Sequence, residues 1–305
     1  MLAVTFLGTS AACPTVDRNV SALAIQREGE TLLFDCGEGT QRQMMRYGVG
    51  FSFREIFFTH FHSDHFLGLI GLFRTMGLMD RQDGVVLYGP RGSQRILSAA
   101  LAVGIERTKF PFEVIELKPG DRLGRGDYEI AAVETDHGRT DTLGYALVEH
   151  DRLGRFDPER ARELGIPEGP LWGKLHRGNP VTLPDGRTIA PETLVGPPRP
   201  GRSIVYSGDT RPCPGVIQAA KGADLLIHEA TFGEDERDRA RETGHSTARE
   251  AAEVARAAGV HRLALTHISP RYTRDAPELL VEAEAVFQAV VIARDGMTVD
   301  IPFRV

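Results

Sequence analysis

Glu55-Ile56-Phe57-Phe58-Thr59-His60-Phe61-His62-Ser63-Asp64-His65 sets three imidazoles and a carboxylate within six residues, directly after an apolar, β-forming run. Neutral imidazole nitrogens and carboxylate oxygens are ligands that zinc and similar borderline divalent ions take. A single histidine here would read as a hydrogen-bonded turn residue. Four such side chains in H-x-H-x-D-H spacing after a buried strand read as part of a metal centre. Six residues cannot close two metal sites, so further ligands have to arrive from other parts of the chain.

The same pattern, a short apolar run ending in a polar residue, recurs along the sequence. Leu32-Leu33-Phe34 leads to Asp35, Ile204-Val205-Tyr206 to Asp209, Leu225-Leu226-Ile227 to His228 and Glu229, and Leu263-Ala264-Leu265-Thr266 to His267. Continuous apolar runs of this length predict strands buried on both faces, with helices packed on each side of a sheet. Polar residues at the same end of several such strands would meet at one rim. Helices are expected over Thr247 to Ala258, stopped by Gly259, over Pro277 to Ala289, and over the apolar, glycine-containing Phe66 to Met79. Outside the cluster, His137 in Thr-Asp-His-Gly, His228, His245 in Gly-His-Ser-Thr and His267 are the histidines to compare as ligands. His150, His176 and His261 read as surface residues. Asp209 stands in Ser207-Gly208-Asp209-Thr210, a tight turn after a strand, where a carboxylate can point inward and bridge two cations.

Composition limits the classes. With 305 residues, 41% hydrophobic and 26% charged, the chain has material for a substantial core, which excludes disordered and fibrous proteins. A formal charge of −6 excludes a chain that is basic throughout. The three cysteines, Cys13, Cys36 and Cys213, form neither a disulfide framework nor a cysteine zinc site, so a reducing, cytoplasmic location is expected. The first residues read as a strand and not as a signal peptide, and no apolar run reaches the roughly 20 residues that span a bilayer.

One region differs from the rest. Residues 150–203 hold nine of the eighteen prolines and nine Arg or Lys against seven Asp or Glu, so a locally basic insertion sits inside an acidic chain. The expected organisation is a single catalytic domain, 1–305, carrying this insertion.

The residues resemble those of a known family. H-x-H-x-D-H is the signature of the metallo-β-lactamase superfamily, which implies an α/β fold, an αββα sandwich of two sheets flanked by helices. Narrower matches are Phe6-Leu7-Gly8-Thr9, Phe34-Asp35-Cys36-Gly37-Glu38-Gly39-Thr40-Gln41, Tyr206-Ser207-Gly208-Asp209-Thr210, His228-Glu229-Ala230-Thr231 and Gly244-His245-Ser246-Thr247. Together they resemble the short-form ribonuclease Z family over nearly the whole chain. That resemblance implies a zinc-dependent endoribonuclease that removes the 3′ trailer from precursor tRNA, leaving a 3′-hydroxyl on the tRNA and a 5′-phosphate on the trailer.

It also implies roles. One zinc would be held by His60, His62 and His137, the other by Asp64, His65 and His267, with Asp209 bridging; manganese or another divalent ion could serve in place of zinc. A pair of cations about 3.5 to 4 Å apart lowers the pKa of a shared water toward about 7 and clamps a phosphate for in-line displacement. Asp64 is implied as the proton acceptor, with Glu229 and His245 handling a proton on the leaving oxygen. The insertion resembles the family's protruding arm, an exosite for the tRNA elbow that in a homodimer serves substrate on the partner. Gly169, Pro170, Lys174 and Arg177 are the substrate-binding residues this implies. Phosphate contacts need local positive charge, not a high overall pI.

Two other classes compete with this reading. A small-molecule hydrolase of the same superfamily, arylsulfatase-like or a cyclic phosphodiesterase, would keep the ligands but have no use for a basic arm. A metal-free nucleic-acid-binding relative would be expected to have lost ligands, and all seven positions here carry competent side chains. A thiol-dependent lactamase site is disfavoured because no cysteine stands at a ligand position.

Overall fold

The computed structural model describes residues 1–272 and 275–304. The chain divides into two units, residues 1–148 with 203–302 and residues 149–202 with 303–305.

The larger unit is built on two seven-stranded sheets. The first contains β1 (Leu2–Gly8), β2 (Ala22–Arg27), β3 (Glu30–Phe34), β4 (Glu55–Phe57), β5 (Val85–Gly89) and β6 (Phe112–Glu116). The second takes β7 (Arg122–Gly124), β8 (Tyr128–Glu134) and β9 (Leu143–Glu149). A short pair, β10 (Val181–Thr182) and β11 (Thr188–Ile189), belongs to the smaller unit. The second sheet then resumes with β12 (Ser203–Tyr206), β13 (Leu225–Glu229), β14 (Leu263–Thr266) and β15 (Val290–Ile292), and β16 (Thr298–Asp300) returns to the first. Spatial orders are β16-β1-β2-β3-β4-β5-β6 and β15-β14-β13-β12-β9-β8-β7. Strands β3 to β6 are mutually parallel, as are β12 to β15.

Every residue of β1, β13 and β14 is buried, as strands covered on both faces require. Leu2, Val4, Phe6, Phe34 and Phe57 of one sheet pack against Tyr145, Ile204, Tyr206 and Ile227 of the other. Phe57 stacks on Phe34 and Tyr88 with centroids 5.0 and 4.8 Å apart. Each such side chain contributes roughly 1.5–3 kcal/mol by leaving water. The outer face of the first sheet is covered by Leu69, Leu72, Phe73, Met76 and Leu97, that of the second by Ala251, Ala252, Val254 and Ala255. Helix, sheet, sheet and helix make the αββα sandwich that the family resemblance implies.

The helix over Ala248–Ala258 begins at a Thr247–Glu250 capping box and ends at Gly259. The helix expected over Phe66 to Met79 forms as two pieces, Ser63–Phe66 and Gly68–Leu78. At their junction a Cβ on Gly68 would lie 1.9 Å from the Gly37 carbonyl oxygen, so only glycine allows this approach. The helix expected over Pro277 to Ala289 stops at Glu284. Pairing decides its end: the Leu263 amide takes the Ala289 carbonyl, and Val290 enters the sheet beside Leu263.

The smaller unit has its own apolar cluster, built from Ala161, Ile166, Leu175, Val181, Leu183, Ile189 and Leu194. Helices Pro158–Glu163 and Pro170–His176 and the β10–β11 pair frame it. A buried Glu149–Arg202 ion pair at 2.7 Å joins the first and last residues of the inserted stretch. Phe303 packs beneath the guanidinium groups of Arg152 and Arg202, 3.5 and 3.8 Å from its ring centroid. The insertion thus recruits the end of the chain, a contact between residues too far apart in sequence to be read from local pattern. Among the described residues no helix is long and apolar enough to cross a membrane.

Candidate metal centre

Asp35, His60, Asp209, Glu229 and His267 stand at the carboxyl ends of β3, β4, β12, β13 and β14, where open α/β sheets gather ligand-binding groups. The turn after β12 requires glycine. Gly208 has φ +59°, and a Cβ there would lie 2.8 Å from Thr59. This close approach lets Asp209 turn in toward His60, with Asp209 Oδ2 3.6 Å from His60 Nε2.

Two groups of ligand atoms result. His60, His62, His137 and Asp209 form one, and Asp64, His65 and His267 form the other. Asp209 Oδ2 is 3.4 Å from His65 Nε2 and 3.3 Å from His267 Nε2, so the same carboxylate faces both groups. The structure therefore brings together all seven residues that the family resemblance implies as ligands.

Second partners fix which nitrogen of each ring faces inward. His65 Nδ1 donates to Asp35 at 2.8 Å, and His137 Nδ1 donates to the Gly244 carbonyl at 2.7 Å. Thr59 and Thr231 hydroxyls give their protons to Asp35 and Glu229, so they accept from His60 Nδ1 at 3.1 Å and His267 Nδ1 at 2.8 Å. The Nε2 lone pairs of His60, His65, His137 and His267 are left pointing into the centre, an arrangement typical of metal-ligating histidines.

These donors fit divalent cations. His60 Nε2 and Asp209 Oδ1 are buried with no hydrogen-bond partner among the described residues, a costly condition that a cation removes. His62 Nδ1 lies 3.2 Å from His137 Nε2, and His65 Nε2 lies 3.4 Å from His267 Nε2. Facing nitrogens need a proton or a cation between them.

In the ion-free chain protons take that part. Burial opposes charge on His65, but Asp209, Asp35 and Asp64 outweigh it and hold the imidazole well above its ordinary range. Burial also opposes charge on Asp209, yet His267 and His65 hold its carboxyl well below the usual range. His60, buried and next to His65, is held well below the imidazole range. Cation uptake must therefore release a proton, and affinity falls as pH falls.

Glu229 and His245 form a separate pair beside this cluster. Burial disfavours the charged imidazole, but the Glu229 carboxylate, 2.8 Å from His245 Nδ1, pushes it up to about 9. Glu229 also accepts from the amides of Thr210 and Thr231. His245 Nδ1 is 4.0 Å from Asp209 Oδ2, near enough to form a third group of ligand atoms with Asp209 and His267. Its engagement with Glu229 favours holding a proton over holding a cation.

Sequence reasoning placed Asp35 at a strand end without giving it a task. Its carboxylate receives Thr59 N–H at 2.8 Å, His65 Nδ1 and the Tyr206 hydroxyl at 2.9 Å, the last reaching across from the other sheet. Asp35 also holds a φ of +54°, a left-handed state that non-glycine residues rarely adopt and that marks a constrained position. His228 is buried in β13 with Nδ1 on the Glu229 carbonyl and joins none of the ligand groups. Asp35→Asn should lower affinity for divalent ions about 10- to 100-fold with the fold retained, read by competition with a chromogenic chelator. Unchanged affinity would remove Asp35 from the centre's support.

A four-layer αββα sandwich with an aspartate shared between two histidine groups at its strand ends defines a metallo-β-lactamase-fold protein. Residues 2–154 match the family described as Anti-Pycsar protein Apyc1, a stretch that ends before Asp209, Glu229, His245 and His267, and residues 193–268 match the beta-lactamase superfamily domain. The chain is 58% identical to Ribonuclease Z of Gemmatimonas aurantiaca over 98% of its own length and 96% of that protein's, and 57% identical to Ribonuclease Z of Myxococcus xanthus over 100% and 99%. Among solved structures it is similar to human short-form tRNase Z, with a TM-score of 0.71, 29% identity and 99% and 100% of the two chains covered. The chain belongs to the ribonuclease Z family.

Proposed function

We propose that this protein is a metal-dependent endoribonuclease that cuts the 3′ trailer from precursor tRNA, releasing tRNA with a 3′-hydroxyl and a trailer with a 5′-phosphate. Asp209, facing two groups of imidazole nitrogens with an unpartnered oxygen, is the observation that carries this reading. Full-length similarity to proteins named Ribonuclease Z supplies the substrate class.

Two zinc ions per chain would suit the donors: His60, His62 and His137 would hold one, Asp64, His65 and His267 the other, with Asp209 available to both; manganese would fit the same oxygen and nitrogen set. When bound, such a pair supplies positive charge to phosphate oxygens and lowers the pKa of water. Asp64, which also accepts from the Ala12 amide at 2.7 Å, takes the proton of the attacking water. As the bond from phosphorus to O3′ breaks, His245 gives its proton to O3′. Glu229 keeps that imidazole protonated at neutral pH and balances its positive charge until the proton leaves for O3′. Cleavage of an end-labelled precursor tRNA, with products mapped to the nucleotide and their ends tested by kinase and phosphatase, is the direct test. A product carrying a 2′,3′-cyclic phosphate, or no cut in tRNA at all, would sink the reading.

The smaller unit serves in this proposal as the tRNA-binding arm. Gly169, Pro170, Lys174 and Arg177 are exposed, and Gly169 has φ +128° with ψ −141°, a backbone state essentially confined to glycine. Its apolar cluster draws only on residues inside the insertion, so removing residues 153–200 takes away a self-contained core. The deleted protein should still hydrolyse a small activated phosphodiester. Its binding of precursor tRNA should weaken by an order of magnitude or more, with a shallower dependence on salt as phosphate contacts disappear. Equal tRNA binding before and after deletion would end the exosite reading. The protein works in this account as a cytoplasmic homodimer, each arm serving the partner's substrate, which a mass measurement in solution checks.

A further inference from the structure

Two cavities meet at His62. One, of about 430 Å³, is lined by His62, Asp64, Asp209, His245 and His267. The other, of about 340 Å³, is lined by Phe61, His62, Arg91, Arg95, Ile96 and Asp141, among others, and His245 is not part of its lining. His62 is the one exposed member of its ligand group and is the only lining residue the two cavities share.

We infer that the second cavity is the subsite for the first nucleotides of the RNA trailer. The inference rests on the proposed cleavage, which fixes polarity. His245 protonates O3′, so the tRNA end occupies the cavity that His245 lines. The trailer keeps the 5′-phosphate and therefore departs on the side away from His245, which leads past His62 to Phe61 and the two arginines.

The lining has the chemistry for single-stranded RNA of any sequence. The Arg95 side chain is exposed and, among the described residues, has no hydrogen-bond or ion-pair partner. Arg91 is 83% exposed and bound at 3.1 Å to Asp141, a surface pair that water screens and a phosphate can displace. Phe61 is held from behind by Phe58 and Phe66, with centroids 5.9 and 5.7 Å away, so its half-buried ring is fixed in place while it borders the cavity. A fixed aromatic ring for stacking, beside guanidinium groups for phosphate, is how sequence-tolerant single-strand sites are built. Asp141 is the opposing charge in the cavity. Glu116, at the start of the helix that carries Arg95, is occupied by the Gly92 and Gln94 amides.

The test compares precursor tRNAs with trailers of one and of about ten nucleotides, cleaved by the intact metal-loaded protein and by Arg91→Ala/Arg95→Ala. KM for the long trailer should rise about tenfold more than KM for the short one, and Arg95→Lys should recover most of its share, as a phosphate contact predicts. Phe61→Ala should show the same length dependence, and Phe61→Tyr should not. Losses equal for both trailer lengths, with bound metal unchanged, would overturn the subsite while leaving the cleavage reading intact. Failure of the unaltered protein to cut either precursor would overturn that reading and the subsite with it.

Discussion

Replacing Asp209 by alanine will slow cleavage of precursor tRNA by on the order of 10³- to 10⁴-fold and will lower the number of divalent ions the protein retains. The size follows from what the side chain touches. Its carboxylate is within 3.6 Å of His60, 3.4 Å of His65 and 3.3 Å of His267, so it is the one group common to both sets of ligands. In the proposed two-ion centre, loss of the shared ligand would loosen both ions and forfeit several kcal/mol of stabilisation of the phosphate charge, each 1.36 kcal/mol being about tenfold in rate. Misfolding would give the same kinetic result, so the control is Asp209→Asn, which preserves shape and one oxygen. Asp209→Asn should keep the thermal transition cooperative and still cleave slowly. Metal content and cleavage rate both equal to those of the unaltered chain would show that Asp209 bridges nothing.

Replacing His245 by alanine should cost about 10²- to 10⁴-fold in kcat, the range expected for a positioned general acid, while metal content and KM stay close to their original values. The sign of its proton affinity supports this. Glu229 pushes the imidazole up to about 9 against the opposing effect of burial, so at neutral pH it carries a proton available for the departing oxygen. A folded-state pKa above the ordinary value is held only while Glu229 is charged, and the proton is lost as pH rises through about 9. Glu229→Gln should accordingly lower the alkaline limb of the rate profile, because the neutral amide no longer favours the imidazolium. Should His245→Ala lose an ion instead, His245 would be a ligand, as its grouping with Asp209 and His267 would permit.

How much of this was legible without coordinates depends on the range of the interaction that decides it. The strands ending at Asp35, His60, Asp209, Glu229 and His267 could be read because burial on both faces imposes continuous apolar runs, a local property. The helix Ala248–Ala258 could be read because its Ala-rich composition and the Gly259 stop directly after its last residue are local signals. His60, His62, Asp64 and His65 declare themselves by spacing, and family resemblance supplied His137, Asp209 and His267.

Tertiary structure alone decided the rest. The end of the last helix at Glu284 was set by the pairing of Val290 with Leu263, which outweighs local helix preference. Phe303 found its place under Arg152 and Arg202, about 150 and 100 residues back along the chain. The task of Asp35 appeared only when His65, Thr59 and Tyr206 from two different sheets closed on one carboxylate. Local sequence carries propensity and residue chemistry. Which lone pair faces inward, and which carboxylate two histidine groups share, is settled by contacts between strands far apart in sequence, where packing and hydrogen bonding across the sandwich select one arrangement.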